Sequence, residues 1–260
     1  MSDDILLVER NAPAVVLQLN RPAARNALSS ELLERLRTEL LAAEQDPEIR
    51  GVVITGNEKF FSAGADLNEA MENHTPLEIG RWLDHFTDLN RTIERLSKPV
   101  IAAINGHCMT GALEVALACD LRFAGTGAKF AITSSRIGTV AGAGGTQRLP
   151  RLVGIQRAKD ILMGAKVFGA EEAKEYGIVL DVFAPDQVLD KALERIAVYA
   201  ERAPLSVWFA KKAVHVGMQM DLEDAIELEQ SMVAHLYSTE DRIEGITAFL
   251  EKRSATFKGK

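Results

Sequence analysis

The sequence has little cysteine, no excess of positive charge and no long apolar run. Only Cys108 and Cys119 occur among 260 residues. Their spacing fits neither a zinc site nor a disulfide framework, which predicts two small buried side chains in a reducing compartment. A formal net charge of −7 argues against an extended nucleic-acid partner, because phosphate binding requires a basic surface.

No apolar stretch approaches the roughly 20 residues of a transmembrane helix, and the N-terminus has no basic and apolar signal pattern. We therefore expect a cytoplasmic protein that binds neither nucleic acid nor a membrane. Two common catalytic patterns are missing as well. There is no Gly-x-Ser-x-Gly motif, and the five histidines show no ligand spacing, so neither a serine hydrolase nor a metal enzyme is indicated. His107, beside an apolar strand, is interpreted as a structural histidine.

What the sequence does contain is an alternation of apolar strands and helices. Apolar runs occur at 51–55, 99–104 and 121–125, and the first two are each followed by a glycine-containing loop and a helical segment. Such near-continuous apolar strands predict an α/β fold with mostly parallel pairing.

From about Ala170 onward the pattern becomes helical, with helices predicted over 185–202, 204–216 and 221–236. Pro185 and Pro204 suit the first turns of their helices, and Asp221 suits an N-cap. We predict a core over residues 1–198 and a helical region over 199–260 whose apolar faces need a partner surface.

Three loops combine glycine with the end of a strand, where ligands bind in parallel α/β proteins. They lie at 62–66, at 109–112 and at 142–146. Small residues there let the backbone approach a ligand and present its N–H groups. Purely structural interpretations remain open, because Asp66 suits a helix N-cap and Glu114 suits the capping box of a helix that begins near Gly111.

In combination, these stretches resemble one family. The segments NRPAARNAL, ITGNEKFFSAGADL, KPVIAAINGHCMTGALEVALACD, GAGGTQRLPRLVG and EDRIEGITAFLEKR follow one another in this order. They resemble the crotonase (enoyl-CoA hydratase/isomerase) superfamily, and most closely its phenylacetate-degradation-type hydratases. The resemblance implies an α/β spiral of repeated ββα units with a C-terminal helical region that packs trimers or hexamers. It also implies an acyl-CoA substrate and no cofactor other than the coenzyme A of that substrate.

The resemblance assigns roles to individual residues. It places the thioester oxygen between the backbone N–H groups of Ala65 and Gly111, makes Glu114 the catalytic carboxylate, and uses Gly142 to position water or substrate. Coenzyme A is expected to contact seven positions: Ala24, Arg25, Ala63, Asp66, Leu67, Phe249 and Lys252. Trp82, Leu83, Phe86 and Met109 are candidates to line the acyl pocket, although packing within the core is the preferred interpretation for each.

One departure from the family pattern concerns the chemistry itself. Hydratases that resemble this chain hold a water between two glutamates, and the second of them falls where this chain has Ser134. A proline that usually precedes Gly142 is replaced by Ala141. Serine cannot act unaided as a base at neutral pH, so Ser134 is expected to hold water by hydrogen bonding.

Four functions therefore remain open at this point. The first choice is hydration of a 2-enoyl-CoA with Glu114 as its one carboxylate. The second is isomerisation, in which one carboxylate moves a proton along the acyl chain. The third is decarboxylation, in which Arg136 pairs with a substrate carboxylate, although a surface or subunit contact is the simpler role for it. The fourth is a non-catalytic acyl-CoA-binding protein.

Overall fold

The structure is a computed structural model that describes residues 4–260, so the first three residues of the predicted core lie outside the described residues. Ten strands in this range form two sheets. The larger sheet has the order β1-β2-β3-β5-β7-β10 and the smaller one the order β4-β6-β8-β9. The strand bounds are β1 Leu6–Asn11, β2 Ala14–Leu19, β3 Gly51–Thr55, β4 Phe60–Ser62, β5 Val100–Ile104, β6 His107–Met109, β7 Leu121–Gly125, β8 Lys129–Ala131, β9 Phe168–Gly169 and β10 Asp181–Phe183.

Parallel pairing dominates both sheets, as the apolar strands predict. Strands β1 and β2 form an antiparallel hairpin, and every further neighbour in the large sheet is parallel. In the small sheet, β4, β6 and β8 are parallel and β9 closes the edge antiparallel to β8.

Eleven α-helices connect or cover these strands within residues 4–260. Their bounds are α1 Ser30–Gln45, α2 Leu67–Glu72, α3 Pro76–Arg95, α4 Gly111–Ala118, α5 Gly145–Val153, α6 Ile155–Gly164, α7 Ala170–Glu175, α8 Val188–Ala200, α9 Pro204–Gly217, α10 Leu222–Leu236 and α11 Glu240–Glu251. One strand of the large sheet, one strand of the small sheet and then a helix recur as β3-β4-α2, β5-β6-α4 and β7-β8-α5. The repeated ββα unit implied by the resemblance is therefore present.

The core lies on both faces of the large sheet. One face packs on the buried stripe of α1, which contains Leu32, Leu33, Leu36 and Leu40, together with helices α3 and α4. The spacing of leucines in α1 also predicts a buried Leu41, but this residue is 44% exposed, because the 100° turn from Leu40 carries it off the buried face. The opposite face is covered by the buried residues of α8, namely Val188, Ala192 and Ile196.

Helix starts agree with the sequence only in part. Pro204 occupies the first turn of α9, as predicted. Pro185 begins a short 3₁₀ turn, and α8 itself starts only at Val188. Asp221 takes the N-cap position of α10, but its carboxylate accepts no capping hydrogen bond. The predicted capping by Asp221 is therefore wrong in its chemistry.

Helix α9 is anchored to the rest of the chain through the half-buried cation of Lys211. The Nζ of Lys211 lies 2.8 Å from Oδ2 of Asp120 and donates to the carbonyls of Ile93 (2.9 Å) and Lys98 (3.1 Å). Apolar residues further along remain exposed, including Leu222 and Phe249. The boundary predicted between 198 and 199 falls near the end of α8. The assignment of 199–260 to subunit assembly stays a prediction.

Candidate active site

The first glycine loop follows β4 and is pinned to the segment before α1. The N–H of Leu28 donates to the Gly64 carbonyl (2.8 Å) and the N–H of Asp66 donates to the Leu28 carbonyl (3.1 Å). This bridge uses the groups on either side of Ala65. Within residues 4–260 the Ala65 N–H donates no hydrogen bond, so it is available to a ligand.

The second loop brings another backbone N–H beside the first. A β-carbon added at Gly111 would lie 3.2 Å from the Ala65 nitrogen, and one added at Gly64 would lie 3.4 Å from the Gly111 nitrogen. Gly64 has a φ of +103°, which a side chain would disfavour. Gly111 is the first residue of α4, so its N–H has no partner inside the helix. The two amides thus form a pair of adjacent donors.

Glu114 lies one turn into α4 and is 2% exposed. Its Oε1 accepts hydrogen bonds from the N–H groups of Ala143 and Gly145, both at 2.8 Å. The capping-box interpretation is therefore wrong: the carboxylate reaches a distant loop, and Thr110 makes no side-chain cap. In the part of the chain that the structure describes, no group bonds to Oε2, so that oxygen keeps its capacity to accept a hydrogen bond.

Burial decides the electrostatics of Glu114. Desolvation raises the pKa of this carboxyl above its usual range, while the two backbone hydrogen bonds and the charge of Arg148 lower it by less. Desolvation prevails because the charged form loses water that two amides replace only in part. The carboxyl is thus shifted towards the range in which it can both accept and return a proton near neutral pH.

The third loop holds that carboxylate and is itself braced. The Ala143 carbonyl accepts from Nδ2 of Asn90 (2.9 Å) and Nη1 of Arg148 (3.1 Å), and Arg148 is paired with Glu94 at 2.5 Å. Sequence reasoning missed Asn90 and Arg148. Neither belongs to a glycine loop, and their common target is a carbonyl more than fifty residues from Asn90.

Ser134 is buried at 4% exposure and begins the 3₁₀ turn Ser134–Ile137. The preceding residue, Thr133, is tied to Thr110 at the start of α4 through N–H to Oγ1 (3.1 Å) and hydroxyl to hydroxyl (2.9 Å). No group in residues 4–260 bonds to the Ser134 hydroxyl. The segment expected to face Glu114 therefore adjoins its helix and presents a neutral side chain.

Gly142 and Arg136 are the two other residues near Ser134 in sequence for which a role is expected. Gly142 faces Leu83, since a β-carbon on it would lie 3.2 Å from the Leu83 Cδ2. Arg136 is exposed, and its Nη2 donates to the Ala165 carbonyl at the end of α6 (2.6 Å). The structure thus engages Arg136 in a surface contact, the simpler of the two roles considered.

Five of the seven positions expected to contact coenzyme A lie together. The N–H of Ala63 donates to the Arg25 carbonyl (3.0 Å), and Arg25 follows Ala24 at the end of a 3₁₀ turn. Asp66 caps α2 through the N–H of Asn68 (3.1 Å), which confirms the N-cap interpretation. Leu67, the first residue of α2, is 55% exposed.

The other two positions, Phe249 and Lys252, lie at the end of α11. No hydrogen bond or ion pair within the described chain joins them to that cluster, and Phe249 is 82% exposed. Phe249 thus presents its ring to whatever packs against α11.

Of the four candidates for the acyl pocket, Phe86 lies beside Gly111 and Trp82 packs on Phe86. Phe86 is 1% exposed, and its ring lies 3.2 Å from the position of a β-carbon on Gly111. Trp82 meets Phe86 edge to face at 5.6 Å and donates to Glu69 on α2 (3.2 Å).

The remaining expectations concern cysteine, histidine, metal and membrane. Cys108 and Cys119 are both free and buried, as predicted. His107 is exposed and stacks on Phe60, which agrees with a structural histidine. Among residues 4–260, no group of three or more His, Cys, Asp or Glu side chains could hold a metal ion. No helix in the same range is long and apolar enough to cross a membrane.

Comparisons with known proteins agree on one family. A family model described as "Enoyl-CoA hydratase/isomerase" matches residues 9–260. The 2,3-dehydroadipyl-CoA hydratase of Escherichia coli is 41% identical over 98% of this chain and 99% of its own length. The crotonyl-CoA hydratase of Syntrophomonas wolfei is 38% identical over the full length of both chains. An enoyl-CoA hydratase structure from Bacillus anthracis superimposes with a TM-score of 0.94 at 37% identity, covering 99% of this chain and 100% of that one.

Proposed function

Because the chain belongs to the enoyl-CoA hydratase/isomerase family and has its fold, we propose that it adds water across the double bond of a 2-enoyl-CoA thioester. Similar chains named as hydratases support this reaction. The observation that carries the proposal is one constellation. Two adjacent backbone donors, at Ala65 and Gly111, adjoin the helix that bears a buried carboxylate, Glu114.

The paired amides of Ala65 and Gly111 serve as the oxyanion hole. As water adds to the β-carbon, negative charge moves onto the thioester oxygen and an enolate forms. Donors held rigidly on loops stabilise that charge without reorganising, and each is worth roughly 10²–10³ in rate. The N-terminus of α4 adds the positive end of its dipole at Gly111.

Glu114 moves the proton. Its free oxygen, Oε2, takes a proton from the attacking water while the new bond forms between the water oxygen and the β-carbon. The protonated carboxyl then gives the proton to the α-carbon, the enolate returns its electron pair to the carbonyl, and Glu114 is again ionised. The hydroxyl group of the water is then on the β-carbon and its proton on the α-carbon, and Glu114 is again a carboxylate.

Ser134 takes the place of a second carboxylate in this scheme. Its hydroxyl has no partner in residues 4–260 and can orient the attacking water, and Gly142 shapes the wall beside it. The loss of a positioned acid or base costs typically 10²–10⁴-fold, so hydration with Glu114 alone is proposed to be slower than with two carboxylates.

Isomerisation is the second candidate, and the Ser134 observation favours it. A neutral, buried Ser134 in place of a second carboxylate suits a reaction in which one base carries a proton between two carbons and no water adds. Decarboxylation receives less support, since the cation considered for it, Arg136, already binds the Ala165 carbonyl.

Coenzyme A is proposed to bind along Ala24, Arg25, Ala63, Asp66 and Leu67, the residues that the structure brings together. Phe249 and Lys252 are proposed to reach such a site from a neighbouring subunit, with residues 199–260 packing trimers or hexamers. The exposed apolar faces of these helices support assembly. We further propose a cytoplasmic location and no cofactor beyond the coenzyme A of the substrate.

The deciding experiment is a panel of enoyl-CoA thioesters incubated with the enzyme in heavy-oxygen water and read by mass spectrometry. Hydration adds one heavy-oxygen water to the product. An unchanged mass with a migrated double bond would establish the isomerase instead, and loss of carbon dioxide would establish a decarboxylase. Calorimetric binding of the same thioesters without any turnover would contradict an enzymatic role.

A further inference from the structure

Thr110, directly before Gly111, has an unusual backbone conformation. Its φ of 45° and ψ of −111° belong to a region that a β-branched residue enters only under strain. Other non-glycine residues with positive φ behave differently. Arg25, Ala165 and Lys252 have ψ between 36° and 41°, within the ordinary left-handed well. Thr110 is outside that well.

The residue lies where three parts of the proposed site meet. Its N–H donates to the Ala131 carbonyl at the end of β8 (2.7 Å), and its own carbonyl accepts from the N–H of Glu114 (3.0 Å). The next N–H along the chain is that of Gly111. The conformation of Thr110 therefore affects the base and the oxyanion donor together.

The Thr110 carbonyl and the Gly111 N–H belong to one planar peptide unit. The ψ angle of Thr110 sets the orientation of that plane and therefore the direction of the Gly111 N–H. Relaxing ψ from −111° to the ordinary helical or extended range would turn that plane by at least about 70°. The N–H would then point away from its neighbour at Ala65. Strain at Thr110 is thus the geometric cost of keeping two donors aimed at one point.

A pair of hydroxyls opposes that relaxation. The Oγ1 atoms of Thr110 and Thr133 are 2.9 Å apart, and the Thr133 N–H donates to Thr110 Oγ1 at 3.1 Å. These bonds fix the Thr110 side chain to the segment that continues into Ser134. Local strain of this kind persists only where surrounding contacts hold it.

We propose that Thr110 is a positioning residue: clamped by Thr133, it holds the Gly111 N–H towards the thioester oxygen. The inference rests on the oxyanion hole of the proposed function and does not depend on whether water adds. It extends that function by coupling the oxyanion donor mechanically to the Ser134 segment.

The test uses a conjugated aryl-enoyl-CoA whose absorbance shifts to longer wavelength when its carbonyl oxygen is polarised. Thr110→Ala and Thr133→Val remove the hydroxyl pair from either side, and Thr110→Ser retains it. We expect the first two variants to lose much of the red shift. Their kcat should fall about tenfold, less than the loss expected for a missing donor, with KM nearly unchanged. Thr110→Ser should retain both properties, and Thr38→Val, on the exposed face of α1, serves as the matched control.

Thr110→Gly is a second variant that also lacks the hydroxyl pair but is expected to fold, because glycine adopts this φ and ψ without crowding. It should show a higher Tm than wild type together with a weaker red shift. If wild type produces no red shift, the oxyanion hole fails and this inference fails with it. If wild type shifts the absorbance and the variants without the clamp retain both shift and kcat, only the role of Thr110 is overturned.

Discussion

The two sides of the candidate site are built differently. On one side, the Oε1 of Glu114 accepts hydrogen bonds from two backbone N–H groups, and the Ala143 carbonyl accepts hydrogen bonds from Asn90 and Arg148. On the other side, the Ser134 hydroxyl has no partner in residues 4–260, and the residues that follow it, 135–140, are exposed. The molecule thus fixes the Glu114 carboxylate firmly and leaves the Ser134 hydroxyl without an intramolecular bond among residues 4–260.

This difference indicates where the chemistry is concentrated. A base that must both take and return a proton gains from a fixed orientation, since misplacement by about 1 Å can cost roughly 10²-fold in rate. A group that only orients water tolerates more freedom. We therefore expect substitutions on the Glu114 side to cost much activity and those at Ser134 to change it moderately.

The largest expected effect is that of Glu114→Gln. The amide oxygen can still accept from Ala143 and Gly145, but the side chain cannot take a proton. We expect kcat to fall by roughly 10²–10⁴-fold, measured by steady-state kinetics, while calorimetry shows acyl-CoA binding nearly as tight as in wild type.

Glu194→Gln provides the matched control, because this exposed residue of α8 pairs only with Lys191 on the surface. Its activity should equal that of wild type. Near-normal turnover in Glu114→Gln would contradict the comparison, since Glu114 would then take no part in proton transfer.

Gly145→Ala tests whether activity depends on the fixed orientation of the Glu114 carboxylate, which the Ala143 and Gly145 N–H groups hold. A β-carbon there would lie 2.9 Å from Glu114 Cγ and 3.0 Å from its Oε1, so the carboxylate must move. We expect kcat to fall by up to roughly 10²-fold with a smaller change in KM. Gly164→Ala, where a β-carbon meets nothing within 4 Å, should remain fully active, and equal activity in both variants would refute the requirement for a fixed carboxylate.

Ser134→Glu and Ser134→Ala test the opposite side. If hydration is the reaction, a second carboxylate should hydrate crotonyl-CoA faster than wild type, by about tenfold, within the lower part of the range for a positioned acid or base. The alanine variant should lose only a few-fold. A glutamate variant that folds, as judged by its Tm, and gains nothing would favour the isomerase.

The apolar strands of the large sheet could be predicted from sequence, but the short strands of the small sheet and the hydrogen bonds around Glu114 could not. Strands such as Gly51–Thr55 and Leu121–Gly125 match their predicted ranges because buried parallel strands are continuous apolar runs. Helix α8 starts three residues later than predicted, since Pro185 suits the first turn of a 3₁₀ helix as well as that of an α-helix.

At the site, local patterns singled out Glu114 without showing how its carboxylate is held. Glu114 fitted a capping box, yet its hydrogen bonds reach amides 29 and 31 residues away, which no local spacing encodes. The strain at Thr110 was likewise invisible, because a backbone angle imposed by tertiary contacts leaves no periodic trace in the sequence.

The smallest expected effect is a dependence of stability on pH. Burial raises the folded-state pKa of Glu114 above its usual range, so the folded protein binds a proton more tightly than the unfolded chain does. Wild type therefore loses stability as pH rises from the unfolded to the folded pKa, and the loss is constant above the latter. Glu114→Gln lacks this penalty. Its Tm should exceed that of wild type by a few degrees at pH 8, and the gap should narrow as pH falls towards the pKa of an unfolded glutamate. A gap of the same size at every pH would show that Glu114 is held without a cost of burial.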